Sequence, residues 1–325
     1  MTNRTDPYGR SIDYMRVSII DRCNLRCRYC IPEGIEWLPP NEILTLEEIA
    51  GICRQAAAIG IRKIKITGGE PLIRKGCMDL IHMIKSIPDI EQVTLTTNGT
   101  LLASYAKRLH QEGLDAVNVS LDTLNREKYA KITGYDGLAD ALSGISEIEK
   151  YKIPLKINSV LQRGVNDEDW QELAQIAKDR NINVRFIEMM PIGHGKQFES
   201  ISNEDILAKI QARYGPVEKV QKSLGNGPAS YIHIPGFRGD IGFISAIHGK
   251  FCHACNRIRL TATGQLKPCL CYEDHISLKE AIRGGSPEEV QRLLLAAIDQ
   301  KPAGHCFNQN QEMITEKQEM AQIGG

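Results

Sequence analysis

The sequence lacks an excess of charge of either sign: 40 lysines and arginines balance 40 aspartates and glutamates over 325 residues. Without a net field, no broad surface for duplex nucleic acid or an anionic membrane is expected, and any anion must be gripped by a local cluster of cations. The chain also lacks a run of about eighteen apolar residues, so no spanning helix is expected. Its opening, MTNRTDPYGR, has no apolar core of the kind a secretion signal needs, which makes the cytosol the expected compartment. No internal repeat or low-complexity tract is present. Hydrophobic side chains make up 42% of the chain, enough to bury a sizeable core in one large domain or in one large and one small.

What the chain does have is cysteine, ten residues of it. In a reducing compartment, clustered thiols signal metal or catalysis more often than disulfides. DRCNLRCRYC puts Cys23, Cys27 and Cys30 within eight residues, with no fourth partner beside them. Structural zinc prefers a closed tetrahedron of four protein ligands. A fourth thiol from Cys53 would have to leave the apolar face of a predicted helix, and Cys77 begins another helix with no partner motif. Three thiolates on one loop suit a cubane iron–sulfur cluster whose fourth iron is left for another molecule. The second group, Cys252, Cys255 and Cys269, is spaced C-x2-C-x13-C, with His253 inside it and Cys271 two residues beyond. Spacing alone leaves two readings: zinc closed by Cys271, or a second three-thiolate cluster.

Short β-branched segments alternate with longer helical patterns through the first two thirds of the chain. Strands are predicted at 15–20, 62–67, 92–97, 115–121, 154–161 and 183–188. Between the first two, Thr45 and Glu48 spell a capping box, apolar residues follow at helical spacing, and Gly60 suits the C-terminal cap. Similar helices are expected at 74–86, 101–112, 137–151 and 167–179. Such repeated units imply a parallel sheet with right-handed crossovers, either open and doubly wound or curled into a partial or complete barrel. DRCNLRCRYC, TGGEP, TTNG, SLD and EMMP each follow a predicted strand, so they gather at the carboxyl edge, where ligands bind in both architectures. After about residue 215 short strands are broken by glycine and proline, and helices follow near 277–284 and 287–299. The expected units are therefore 1–215 and 216–325. The last stretch, QNQEMITEKQEMAQIGG, is polar and expected to be mobile unless something holds it.

The C-x3-C-x2-C loop, with Tyr29 before its last cysteine, resembles the signature of the radical S-adenosylmethionine (SAM) enzymes. TGGEP, residues 67–71, resembles the segment that holds the amino group of SAM in that superfamily. FCHACNRIRLTATGQLKPCL at 251–270 resembles the C-terminal signature of one of its families, the GTP 3',8-cyclases of molybdenum cofactor biosynthesis. YMRVSIIDRCNLRCRYC, IKITGGEPLIRK, LTTNG, VNVSLDTLN, ITGYDG, RFIEMMP and the terminal IGG resemble that family's segments in order, so the likeness spans nearly the whole chain. It implies an α/β fold, an incomplete (β/α)6 radical SAM barrel whose open side is covered by a C-terminal auxiliary-cluster domain. The implied cofactors are two [4Fe-4S] clusters and SAM. The implied reaction uses a 5'-deoxyadenosyl radical to remove the C3' hydrogen of GTP. The carbon radical then attacks guanine C8, giving (8S)-3',8-cyclo-7,8-dihydroguanosine 5'-triphosphate. Implied partners are GTP, an electron donor and the cyclic pyranopterin monophosphate synthase that takes the product, with the chain a monomer or homodimer.

Carried onto matching positions, the resemblance assigns Cys23, Cys27 and Cys30 to the SAM cluster and Cys252, Cys255 and Cys269 to the second. It assigns Tyr29, Gly69, Ser120 and Met190 to SAM. Arg16, Lys65, Thr96, Lys156, Arg257 and Arg259 are assigned to GTP, with Lys63 and Arg185 as weaker candidates. A triphosphate brings roughly four negative charges, and a neutral protein needs a local cationic excess to bury them. Lys63 and Lys65 alternate with Ile64 and Ile66, as Arg257 and Arg259 do around Ile258, so each pair shares a face. That face is either solvated or, in a barrel, the lumen. The paired glycines Gly324 and Gly325 would let the tail thread between protein and substrate. Lys65 stands where the family commonly has arginine, which keeps the charge but not the bidentate fork. Ile20 stands in a frequent threonine position, and Cys271 in an aromatic one. Two rival functions are a peptide-modifying two-cluster radical SAM enzyme, which would normally carry more cysteines, and a zinc-stabilised nucleotide-binding scaffold.

Overall fold

Alternation along six short strands decides the architecture. The computed structural model describes residues 4–221, 224–308 and 313–324. Strands β1 (Tyr14–Ser18), β2 (Lys63–Thr67), β3 (Gln92–Thr97), β4 (Ala116–Ser120), β5 (Leu155–Val160) and β6 (Asn183–Ile187) pair in sequence order, all parallel. Each begins or ends within two residues of its predicted bounds. On one face Met15, Val17, Ile64, Ile66, Val93, Leu95, Val117, Val119, Ile157, Val184 and Phe186 are buried in one apolar core. Their alternates point the other way and are mostly polar, as period-two strands require.

The crossovers are helices α1 (Leu46–Ala58), α2 (Cys77–Lys85), α3 (Leu102–Gln111), α4 (Arg126–Thr133), α5 (Leu138–Lys150) and α6 (Trp170–Asp179). The predicted capping box forms at α1, where Glu48 N donates to Thr45 Oγ1 (3.1 Å) and Thr45 N donates to Glu48 Oε2 (2.7 Å). Helix α7 (Asn203–Tyr214) follows β6. Then come β7 (Glu218–Val220), β8 (Ser230–His233), β9 (Ile241–Ile244), β10 (Arg257–Leu260), β11 (Gln265–Lys267) and β12 (Ile276–Ser277). The chain ends with α8 (Lys279–Arg283), α9 (Pro287–Asp299) and α10 (Met320–Ile323).

The six barrel strands do not close on themselves. Strand β10 joins β1 and β9 joins β6, both in parallel, and β11–β12 and β8–β7 continue each edge antiparallel, making one twelve-stranded sheet. Each open edge of the barrel thus borrows a strand from the chain beyond residue 215. Exposed edges that would invite foreign pairing are thereby occupied.

The polar tail is held where it is described. Glu316 forms a buried ion pair with Lys267 at 2.6 Å, Glu319 Oε2 accepts from His194 N at 2.7 Å, and Ile314, Ala321 and Ile323 are buried. The expected mobility therefore does not extend to residues 313–324. Composition registers the polar side chains but not the partners that fix them. Gly325 lies outside the described residues. Among the described residues no helix is long and apolar enough to cross a membrane.

Candidate active site

The first cysteine loop leaves β1 and is stitched to the loop leaving β2. Gly69 N donates to Ile20 O at 2.7 Å, and Glu70 N donates to Arg22 O at 2.8 Å. A Cβ on Gly69 would stand 2.2 Å from Arg22 O, and one on Gly68, whose φ is +154°, would stand 2.5 Å from Ile20 O. The glycine pair is demanded by two backbones in contact. Gly69→Ala is expected to push the cysteine loop aside and lower SAM affinity roughly tenfold, the scale of a lost supporting contact, without unfolding the chain. Equilibrium SAM binding alongside circular dichroism checks this.

Glu70 in the same segment is structural. Its carboxylate accepts from Leu72 N (3.0 Å), Thr97 Oγ1 (2.8 Å) and Asn98 N (2.7 Å), pinning the β3 loop to the β2 loop. Burial pushes it up to about 7, against the pull of those hydrogen bonds. Asn98 in turn approaches Cys23 Sγ at 3.7 Å and donates to Asn24 Oδ1 at 2.8 Å. Asn98 thus braces the cysteine loop. Tyr29 donates its hydroxyl to Asp122 Oδ2 at 2.8 Å, and Asp122 Oδ1 accepts from Val160 N at 2.8 Å, so the loop is also tied to β4 and β5. Burial raises Asp122 to about 6.

Cys23, Cys27 and Cys30 all open onto one cavity. Burial, reinforced by negative neighbours, pushes Cys23 up to about 11 and Cys30 to about 12, and takes Cys27 well above the usual thiol value. Such crowded thiols gain from a bound metal that takes them as thiolates. The same cavity is lined by Tyr29, Gly69, Ser120 and Met190, by Arg16, Lys65, Thr96, Arg185, Arg257 and Arg259, and by Cys252, Cys255 and Cys269. Lys156 and Lys63 are placed differently. The Lys156 ammonium donates to Leu224 O, and Lys63 pairs with Asp13 at 2.6 Å at the amino end of its strand.

Register explains why the cations meet. Arg259, Arg16 and Lys65 are direct partners across β10, β1 and β2, and Tyr14 carries Arg257 alongside. Arg185 on β6 faces them and donates to Asn118 Oδ1 at 2.5 Å. Among the described residues, none of Lys65, Lys156, Arg185, Arg257 and Arg259 pairs with a carboxylate. Burial and the neighbouring cations Arg185, Arg16, Lys156 and Arg257 drive Lys65 well below the ordinary lysine value. Burial, Arg16 and Arg257 do the same to Arg259, whose guanidinium donates to Gly324 O at 3.1 Å. Gly324 itself, at φ +72°, rests against Ser18 and Thr67, with no room for a side chain. Four cavity-lining cations, Lys65, Arg185, Arg257 and Arg259, with no carboxylate partner among the described residues make a polyanion site.

At the second cysteine group, Cys271 turns away. Its buried sulfur lies 2.9 Å from Cys306 Sγ in a small apolar cluster with Ile192, Leu270 and Phe307, and it does not line the cavity. His253 is exposed. Neither lines the cavity with the other three thiols. Among the described residues no group of three His, Cys, Asp or Glu side chains is arranged to hold a single metal ion. In a cubane, each thiolate binds a different iron and the sulfurs stand farther apart. Burial raises the Cys255 thiol, but Arg257 and Lys301 outweigh it and bring it down to about 7.

Sequence reading missed four residues here. Arg10 donates to Cys252 O, Ala303 O and Pro302 O. Lys301 holds the two cysteine segments from beneath. His305 stacks on Phe307 at 4.6 Å and lines the cavity with Nε2 lacking a hydrogen-bond partner. Glu188, in EMMP, accepts from Asn203 N, Ile247 N and His248 N, fixing the β6 loop. Only Glu188 lay in a segment already singled out. The others have partners far away in sequence.

This fold, with a three-cysteine loop after its first strand and a glycine pair against it, defines a radical SAM protein. The pattern of the Radical SAM superfamily matches residues 17–177, and that of Molybdenum Cofactor Synthesis C matches residues 182–307. The chain is 43% identical to the GTP 3',8-cyclase of Pelotomaculum thermopropionicum and 45% identical to that of Syntrophomonas wolfei, in each case over 98% of this chain and 99% of the relative. It belongs to the GTP 3',8-cyclase family. Among solved structures, Streptococcus suis SuiB bound to S-adenosylmethionine superposes with a TM-score of 0.64 at 15% identity. That match covers 85% of this chain and 65% of SuiB, and is a likeness of fold alone.

Proposed function

We propose that this chain is a GTP 3',8-cyclase of molybdenum cofactor biosynthesis, converting GTP to (8S)-3',8-cyclo-7,8-dihydroguanosine 5'-triphosphate. The observation that carries the reading is that Lys65, Arg185, Arg257 and Arg259 have no carboxylate partner among the described residues and line one cavity with both three-thiol groups. Membership of the superfamily brings SAM and an iron–sulfur cluster, and Cys23, Cys27 and Cys30 fit that cluster as its three protein ligands. We assign a second [4Fe-4S] cluster to Cys252, Cys255 and Cys269, since the Cys271 sulfur faces Cys306 and neither it nor the exposed His253 lines the cavity. A cluster held by Cys23, Cys27 and Cys30 would supply the electron for reductive cleavage of SAM, and with it the radical chemistry needed to remove the C3' hydrogen of GTP.

The chain's own residues bind, orient and exclude water. Gly69, Ser120, Met190 and Tyr29 border SAM, with the Tyr29 hydroxyl already committed to Asp122. Arg16, Lys65, Arg185, Arg257 and Arg259 take the triphosphate by charge-assisted hydrogen bonds, and Thr96 adds a hydroxyl on the same wall. Lys156 holds the loop at Leu224 and reaches the phosphates only if that bond is released. Gly324 brings the tail onto Arg259, where a side chain would not fit. Held in place, the C3' carbon and guanine C8 react as neighbours, with the barrel excluding competing quenchers. An electron donor feeds the first site, and a cyclic pyranopterin monophosphate synthase consumes the product.

Anaerobic incubation of reconstituted protein with SAM, a reductant and GTP deuterated at C3' is expected to yield 5'-deoxyadenosine carrying one deuterium. Label transferred from another ribose carbon, or SAM cleavage indifferent to GTP, would overturn the assignment.

A further inference from the structure

Apart from the cavity row that includes Arg259, three buried cations support the second cysteine group, and two of them carry their own acid. Arg10, which clamps Cys252 O, Pro302 O and Ala303 O, is paired with Asp6 at 2.5 Å. Lys267 on β11 is paired with Glu316 at 2.6 Å. Lys301 is the third. It is 4% exposed, and among the described residues no carboxylate pairs with it. Its Nζ donates to Arg257 O at 2.9 Å and to Pro268 O at 2.8 Å. Those carbonyls lie two residues after Cys255 and one before Cys269, so one ammonium spans both thiol-bearing segments. Lys301 and Cys255 also line the same cavity.

Two of the three ammonium donors are taken by neutral carbonyls, which supply dipoles rather than charge. A buried ammonium needs compensating negative charge, and the thiol group is where it can arise. We infer that Lys301 is a positioning residue that ties the Cys255 and Cys269 segments together and provides the counter-charge for a thiolate-bound cluster there. This rests on the two-cluster reading. A fixed positive charge against a cluster favours its reduced, more negative state, so Lys301 raises the reduction potential of the second cluster above what the thiolates alone would set. A clamp needing only shape would resemble Arg10 and carry its own carboxylate.

The test is an anaerobic redox titration followed by electron paramagnetic resonance on the reconstituted full chain, with the first cluster as internal reference. In Lys301→Gln the midpoint of the second cluster is expected to move to more negative potential while the first stays put, and Lys301→Arg is expected to restore it. An unmoved second midpoint in Lys301→Gln overturns the inference. Should Lys301→Gln retain only about four irons, Lys301→Arg decides: about eight irons upholds the need for charge, and about four makes the role steric and overturns it. The underlying reading fails separately, when the unsubstituted protein and Cys252→Ala both carry about four irons.

Discussion

Replacing Cys27 with alanine is expected to reduce 5'-deoxyadenosine formation more than 100-fold, the upper range for loss of a supporting group around a metal and a floor for loss of a ligand. In the proposed first site the three thiols that open onto the cavity each tether one iron, so no spare ligand takes over. Cys53, the nearest alternative by sequence logic, is fully buried in the apolar core, and Cys77 is buried at the start of α2. Iron content should fall from about eight to about four per chain, because the proposed second group is held by its own supports, Arg10 and Lys301. Cys271→Ser is the matched control: its sulfur faces Cys306 rather than the cavity, so iron content and turnover should stay near the unsubstituted values. Retained SAM cleavage in Cys27→Ala, or loss of iron in Cys271→Ser, would contradict the division of the ten cysteines made above.

Much of this site was legible because strand alternation is a strong local rule. Met15 and Val17 inside, with Arg16 facing the lumen, follow from parity alone, and so do Ile64, Ile66 and Lys65. Parity fixes a face, however, and not a height along the strand. Lys63 shares the face of Lys65 but lies at the amino end, where Asp13 neutralises it, and Lys156 meets a loop carbonyl instead of the cavity. The position of Cys271 was illegible for a related reason: residues 268–272 form bends and not a strand, so no period governs which way its sulfur points. Helix α4 went unread because it is short and polar, α7 because its apolar face is narrow, and α10 because its buried residues lie in a polar tail. The parallel pairings of β9 with β6 and β10 with β1 join segments far apart in sequence, and local patterns carry no signal for them.

Exchange of Lys65 for methionine should move two measured quantities in opposite directions. The nucleotide-free protein should become more stable, since Lys65 is held far below its ordinary value by burial and by Arg185, Arg16, Lys156 and Arg257. Replacing buried charge by an apolar side chain of similar volume is often worth about 1–4 kcal/mol, or a rise of a few degrees in Tm. GTP affinity should fall, because one charge-assisted hydrogen bond to phosphate contributes about 1.5–3 kcal/mol, or roughly 10- to 100-fold. Lys156, brought down to about 8 by burial and Arg185, adds a pH signature. Between about 8 and 10.5 the unfolded chain still binds that proton and the folded chain does not, so nucleotide-free stability should rise with pH across that window. Saturating GTP, by restoring negative charge beside the lysines, should flatten the rise. These opposed shifts are what a site strained for a polyanion requires, and thermal denaturation with and without GTP, paired with equilibrium binding, measures both. A Lys65→Met variant that lost stability without GTP while binding the nucleotide as tightly as before would mean that the cation row serves the fold and not the triphosphate.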